Sequence, residues 1–500
     1  MSCHKIAALI RSPPGRAGPF SLLEESTGAD GDRPPAGGKG GTVGQPWTVD
    51  EARVTELRRA FSGQVLRPDD HGYEDARKLH NGLIDKRPGL IARCAGLGDI
   101  VDAVQFARAN KLEVAVRGGG HNVAGRATID DGLMIDLSLM KGIYVDAARR
   151  TVRAQGGVNW REFNRETQVY ELGTTGGVIS TTGIAGLTLG GGLGHLMGKY
   201  GMAVDNLSSA EIVTADGRAL TASADENADL FWAIRGGGGN FGVVGSFEYR
   251  LHPVGQVTGG LVAHPVTQAR DLLHFFRDLT ASLPDELTTF SGLGHAPDGS
   301  GAKIVAVVVC HCGPLEDGAA AVRPVKEFGS PIMDVMGPMP YSQINSMLDD
   351  GFPRGSLNYW KSSFLRELSD EAIDTLIERF LATPSPMSQI FLEHFHGAAT
   401  RVGVTETSFP HRDRGYNLAI VSQWLDAADN GRNITWARDT YTAMEPFLAV
   451  GRYVNYLGDD EGGDPVRAAY GPNYQHLVEL KNKYDPTNFF HMNQNIRPTA

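Results

Sequence analysis

The residues best placed to do chemistry stand in one run, Val114-Ala115-Val116-Arg117-Gly118-Gly119-Gly120-His121-Asn122-Val123-Ala124-Gly125. An apolar strand-like segment ends in three successive glycines, with a histidine immediately after them. Three residues without Cβ let backbone N–H groups close around a bulky anion and tolerate the positive φ values a concave loop needs. A plain turn needs one glycine, so the run implies a large ligand against the backbone, with His121 at its mouth. A glycine-rich turn carrying an exposed histidine is the other reading of this segment alone.

A second concentration runs from Gly173 to His195, GTTGGVISTTGIAGLTLGGGLGH, with no charge before His195. A stretch that small and uncharged suits a segment buried beneath a flat ligand and donating backbone N–H groups to it. Its aliphatic residues at 178, 179, 184, 187, 189 and 193 argue against a flexible linker. Gly237, Gly239 and Gly242 match G-x-G-x-x-G. That pattern must follow a strand and open a helix to hold a dinucleotide in the Rossmann manner. Here it follows a helical segment and enters a strand, so a nicotinamide Rossmann site is rejected.

The elements that position these loops come from periodicity. Leu90 to Cys94 is a strand, Asp99 to Asn110 a helix and Glu113 to Arg117 a strand, a βαβ-like unit delivering the first glycine loop. Short strands follow at 134–137, 143–145 and 151–155, then a helix over 158–169. Asp216-Gly217 between alternating runs marks a hairpin. From about Val257 glycine thins out and helices alternate with strands, including the segments ending at Cys312, 389–395 and 416–424, as in an α+β unit on an antiparallel sheet. Asn473 to Tyr484 is helical, in a tail expected to return to the first unit.

Composition narrows the function. The chain has 500 residues, 41% hydrophobic and 21% charged, as in ordinary globular proteins, but 63 glycines, well above the average of about 7%. The net charge of −11 argues against a nucleic-acid surface. No apolar run reaches the ~18–20 residues that span a bilayer, so no membrane role is expected. Cys310-His311-Cys312 closes an apolar strand without a second ligand pair, and reads as core packing; no metal is expected. Residues 1–46 are rich in Gly, Pro and Ser and read as a disordered tail. They lack the compact apolar core of a signal peptide, which points to the cytoplasm.

Arg117 to Asn122, the 173–195 stretch, Lys199 to Asn206, Arg235 to Gly242, Tyr453-Val454-Asn455-Tyr456, and Tyr470-Gly471-Pro472-Asn473-Tyr474 through Asn493-Gln494-Asn495-Ile496 stand in an order that resembles the berberine bridge enzyme-like FAD-linked oxidases of the vanillyl-alcohol oxidase superfamily. The resemblance covers about residue 47 to the end. It implies an α+β architecture: a two-part FAD-binding domain, 47–256 and 450–500, with an inserted antiparallel-sheet substrate domain, 257–449. It implies FAD bonded through its 8α-methyl to His121. Ile179 stands where many relatives carry a second, cysteine link, so one attachment is expected. The cofactor positions carried over are Arg117, Gly118, Gly119, Gly120, His121, Asn122, Gly125, Gly177, Val178, Thr181, Thr182, Gly183, Gly186, Gly191, Gly194, His195, Gly239, Val243, Tyr453, Asn455 and Asn493.

For catalysis the resemblance points to Tyr456 as proton acceptor during hydride transfer from a small-molecule substrate. A phenol with a pKa near 10 must be poised by a neighbour to serve as a base at pH 7. A second acid–base group is expected on the strand Phe391-Leu392-Glu393-His394-Phe395-His396, where Glu393 and Phe395 share one face and His394 and His396 the other. His394 and His396 are the candidates from that strand. Thr182 stands where a small side chain leaves room for O2, which favours an oxidase that makes hydrogen peroxide. The alternatives are an NADPH-dependent reductase of the related cell-wall type, or a flavin-carrying module without turnover. Substrate identity and oligomeric state are not written in the sequence.

Overall fold

The computed structural model describes residues 49–499; the expected tail, 1–46, lies outside the described residues. The helix Glu51–Ala60 starts on Asp50, whose carboxylate accepts from the Ala52 N–H at 3.0 Å, and buries Val54 and Leu57. A side-chain cap of this kind satisfies one of the unpaired N–H groups of the first turn.

Three larger sheets follow, besides a two-stranded pairing of Leu172–Gly173 with His252–Pro253. The first has the order Gln64–Leu66, Leu90–Arg93, Leu133–Asp136, Val114–Arg117. The βαβ unit is therefore not a neighbouring pair: Leu133–Asp136 lies between its strands and parallel to both. The crossover helix Leu97–Asn110 is about twice as wide as one strand spacing, so it leaves room for a strand beneath it. The second sheet is antiparallel, in the order Ile143–Asp146, Thr151–Gln155, Val243–Arg250, Leu207–Val213, Ala219–Ser223. Its 207–223 hairpin turns on Gly217 at φ +81°.

The third sheet runs Met333–Asp334, Gln256–Pro265, Lys303–His311, Leu287–His295, Gln389–Phe395, Gly415–Trp424, Leu357–Leu365, all antiparallel, with Gly337–Pro340 also on the 256–265 strand. Periodicity does not reveal the strands at 256–265, 287–295 and 357–365. Gly259-Gly260, Thr288-Thr289 and Lys361-Ser362-Ser363 interrupt their apolar pattern. The helices Ala269–Thr280, Leu315–Glu327, Asp370–Leu381 and Asn430–Met444 cover one face. There Leu272, Phe276, Leu376, Phe380 and Trp436 pack on Val305, Val307, Leu392 and Leu418. The other face puts Phe290, Val308 and Phe395 against Leu193, Met197, Met202 and Tyr453.

The C-terminal segment returns to the first part of the chain. Val454, Leu457, Tyr470, Leu477 and Ile496 share a core with Val152, Trp160, Phe163 and Phe247. Fully buried Lys481 donates to Asp485 at 2.6 Å and to the carbonyls of Asn240 and Phe490. Among the described residues no helix is long and apolar enough to cross a membrane.

Candidate active site

The strand Val114–Arg117 hands the chain to Gly118-Gly119-Gly120. A Cβ on Gly119 would lie 2.5 Å from the backbone of Gly183, and one on Gly183 would meet Gly119 at the same distance. The two glycine-rich stretches are thus locked backbone to backbone, an approach only glycine permits. His121 follows, its ring stacked on His80 with centroids 3.9 Å apart at 21° and its Nε2 3.4 Å from Thr181 Oγ1. Burial, and secondarily His80, lowers its pKa to about 3. The imidazole is therefore neutral at pH 7, with an unprotonated nitrogen able to act as a nucleophile.

His121 sits on a cleft that runs from Trp360 and Tyr456 at one end to Gly239, Asn493 and Gln494 at the other. Gly118, Gly119, Gly120, Asn122, Gly177, Val178, Thr182, Gly183, Gly186, Val243, Tyr453 and Asn455 line it between them. Gly186 and Gly239 present bare backbone: a Cβ at either would touch nothing. The lining holds no acid, and its only Lys or Arg is Arg126, paired with Asp459 at 2.7 Å. Cβ-free walls, one cation and no carboxylate suit a long dinucleotide with a pyrophosphate, and the residues present fit FAD.

Other expected cofactor positions stand behind these walls. Arg117 donates to the Ala76 carbonyl and lies 3.7 Å from Asp136, supporting the loop from beneath. Gly125 packs on Ile84, Gly191 on Met202 and Phe409, and Gly194 on the Gly176 backbone. Thr181 reaches the cleft only through His121. His195 is buried against Phe290, with neither ring nitrogen bonded. At Gly125, Gly191 and Gly194 a side chain would collide with these neighbours.

The Tyr453–Tyr456 segment carries the polar machinery. Asn455 Nδ2 donates to the Leu187 carbonyl at 3.0 Å and to Tyr453 Oη at 2.9 Å. Tyr453 Oη also accepts from the Gly192 N–H at 3.1 Å, and Asn122 Nδ2 donates to the Asn455 carbonyl at 3.1 Å. Tyr456 is gripped edge-on by Trp360 at 5.7 Å and by Tyr453 at 4.9 Å. Its hydroxyl donates to Glu393 Oε1 at 3.2 Å, and Asn417 Nδ2 donates to Glu393 Oε2 at 2.6 Å.

The electrostatics of this trio show which neighbour the tyrosine has. Burial, and then the neighbouring Glu393 carboxyl, hold the Tyr456 phenol well above its usual range. Among the described residues no cation contributes to this shift, and the hydroxyl is bonded to Glu393. Burial lifts Glu393 to about 7, against the opposing hydrogen bonds from Asn417 and Tyr456. Glu393 is thus the member of the trio whose pKa lies nearest neutrality.

His394 and His396 are not at the site. On the 389–395 strand successive side chains alternate, and Leu392 lies in the helix-covered core while Glu393 points to the cleft side. His394 goes with Leu392, stacked on His396 at 4.9 Å and tilted on Tyr416. His396 Nε2 is 3.3 Å from the Pro284 carbonyl. The legible signal for Glu393 was a lone acid on the face shared with Phe391 and Phe395. Asn417 and Trp360 gave none, because their partners come from other strands.

Comparison with known proteins agrees with this geometry. A family model described as FAD binding domain matches residues 88–223, and one described as berberine and berberine like matches 452–497. An FAD-linked oxidoreductase of Dictyostelium discoideum is 32% identical over 451 residues, covering 89% of this chain and 97% of that protein. The (R)-6-hydroxynicotine oxidase of Paenarthrobacter nicotinovorans is 32% identical over 459 residues, covering 88% and 97%. The crystal structure of 6-hydroxy-D-nicotine oxidase from Arthrobacter nicotinovorans superposes with a TM-score of 0.80 at 29% identity, covering 87% of this chain and 98% of that one. The chain belongs to the berberine bridge enzyme-like FAD-linked oxidoreductases, with the vanillyl-alcohol oxidase type of fold.

Proposed function

We propose that this protein oxidises a planar, largely apolar alcohol or amine, with FAD attached to His121 and O2 as the final electron acceptor. The observation that carries the proposal is the Tyr456–Glu393–Asn417 trio, whose tyrosine opens into the same cleft as His121. FAD, when bound, accepts the hydride of the substrate C–H bond. The protein's own residues handle the proton. As the substrate O–H or N–H proton reaches Tyr456 Oη, the phenolic proton moves to Glu393 Oε1, so no phenolate accumulates. Asn417 fixes the other carboxylate oxygen, and Trp360 and Tyr453 hold the phenol in plane.

Tyr456 stacks edge-on with Trp360 and shares an apolar cluster with Val178, Ile179, Phe352 and Phe391. A flat ring fits such walls, whereas a sugar would bury hydroxyls without partners there. A relative named for hydroxynicotine supports an alkyl amine that carries an aromatic ring as one substrate class. A single flavin attachment is supported by Ile179 on the cleft wall, and by Cys94, Cys310 and Cys312, which are buried away from it.

The test combines two measurements on the purified protein. Acid precipitation should leave the yellow colour with the polypeptide, and the intact mass should exceed the bare chain by one FAD. Hydrogen peroxide release over a panel of alcohols, sugars and amines should favour aromatic members. Flavin that washes out in acid and is bleached by NADPH would replace this reading with the reductase one. A yellow protein reduced by no substrate would leave only a flavin carrier.

A further inference from the structure

His80 is absorbed by none of the roles above, yet it makes the closest ring contact of the linkage histidine. Its imidazole lies over His121 with centroids 3.9 Å apart and planes at 21°. Its backbone is fixed at both ends: the N–H donates to the Gly120 carbonyl at 3.0 Å, and its carbonyl accepts from the Gly355 N–H at 2.8 Å. The next residue, Asn81, donates to the carbonyls of Val123 and Asn358 and accepts from the Asn358 N–H. The 80–81 pair therefore ties the glycine loop to the edge strand of the third sheet.

We infer that His80 is a positioning residue for covalent flavin attachment, its stacked ring fixing the plane of His121 and shutting water from its face. The inference rests on the reading of His121 as the attachment point. In that step a new N–C bond replaces one C–H bond of the 8α-methyl and the N–H bond of the imidazole. The released electron pair and both protons leave with O2 as hydrogen peroxide, so the balance closes without another oxidant. Only a neutral imidazole aligned with the methyl carbon can bond to it.

The geometry serves both needs. A stacked partner prevents rotation of the His121 ring about its side-chain bonds. Two imidazoles at this separation also resist protonation of either one. A nearby charge reinforces this: the Arg354 guanidinium disfavours a proton on His80. Thr181 Oγ1 is a polar neighbour of the His121 ring, 3.4 Å from Nε2.

The test compares His80→Ala with His80→Phe, which keeps a stacking ring without nitrogens. Total FAD per chain and the covalently held fraction are read by acid precipitation and intact mass, independent of turnover. His80→Ala should keep FAD but lower its rate of attachment by about three- to tenfold, the worth of one stacked pair; His80→Phe should restore it. If the alanine variant does not accumulate, His80→Leu takes its place. Wild-type attachment in the alanine variant, or an equal loss in the phenylalanine variant, overturns the inference. Wild-type protein whose FAD is all released by acid would instead remove the His121 reading.

Discussion

Glu393→Gln should move activity and stability in opposite directions. The Glu393 side chain is 5% exposed, and burial raises its pKa from 4.5 to about 7. The fold therefore binds this proton more tightly than the unfolded chain does. The resulting stabilisation is complete below about pH 4.5 and is lost as pH rises through 7. Relative to a side chain that stays neutral, the buried carboxyl therefore costs the wild type about 3 kcal/mol at pH 8 and under about 1 kcal/mol at pH 5. Glutamine is neutral throughout and keeps both contacts: its carbonyl accepts from Asn417 and its amide donates to Tyr456 Oη. The variant should then be more stable than the wild type by about 2–3 kcal/mol at pH 8, and nearly equal to it at pH 5. Substrate-driven flavin reduction should meanwhile slow by about 10²–10⁴-fold, the usual worth of a positioned base. In the wild type that rate should rise with pH around a midpoint near 7; in the variant the rise should vanish. Denaturant titrations of the holoprotein at both pH values, with anaerobic stopped-flow reduction from pH 5.5 to 9, measure all of this. A stability difference that is the same at pH 5 and 8, or a persisting rise near pH 7 in the variant, would refute the argument.

Tyr456→Phe should leave FAD content unchanged and slow flavin reduction by about 10²-fold or more, because Glu393 then has no bridge to the substrate; single-turnover reduction measures it. Gly183→Ala should destabilise the protein by roughly 1–3 kcal/mol and lower FAD content, since its Cβ would lie 2.5 Å from the Gly119 backbone; thermal unfolding and the visible spectrum report both effects. Lys481→Met leaves Asp485 buried without its cation, and should cost about 3–5 kcal/mol in a denaturant titration.

Local order determined what the sequence by itself could say. Three glycines before His121, a charge-free belt before His195 and an Asp-Gly turn each act within a few residues. Backbone freedom and side-chain size settle those segments wherever they occur. Alternation on 391–396 likewise sorted Glu393 from His394 and His396 without coordinates. Which face meets the cofactor is a different matter. It depends on where the helices at 269–280, 370–381 and 430–444 pack, and they cover the histidine side. Burial then decides the chemistry: desolvation lifts Glu393 toward neutrality and keeps the Tyr456 phenol from ionising. His80 and Asn417 gain their partners only when distant strands and loops close around the cleft. Electrostatic and stacking energies depend on distances of a few ångströms, and only tertiary packing sets those.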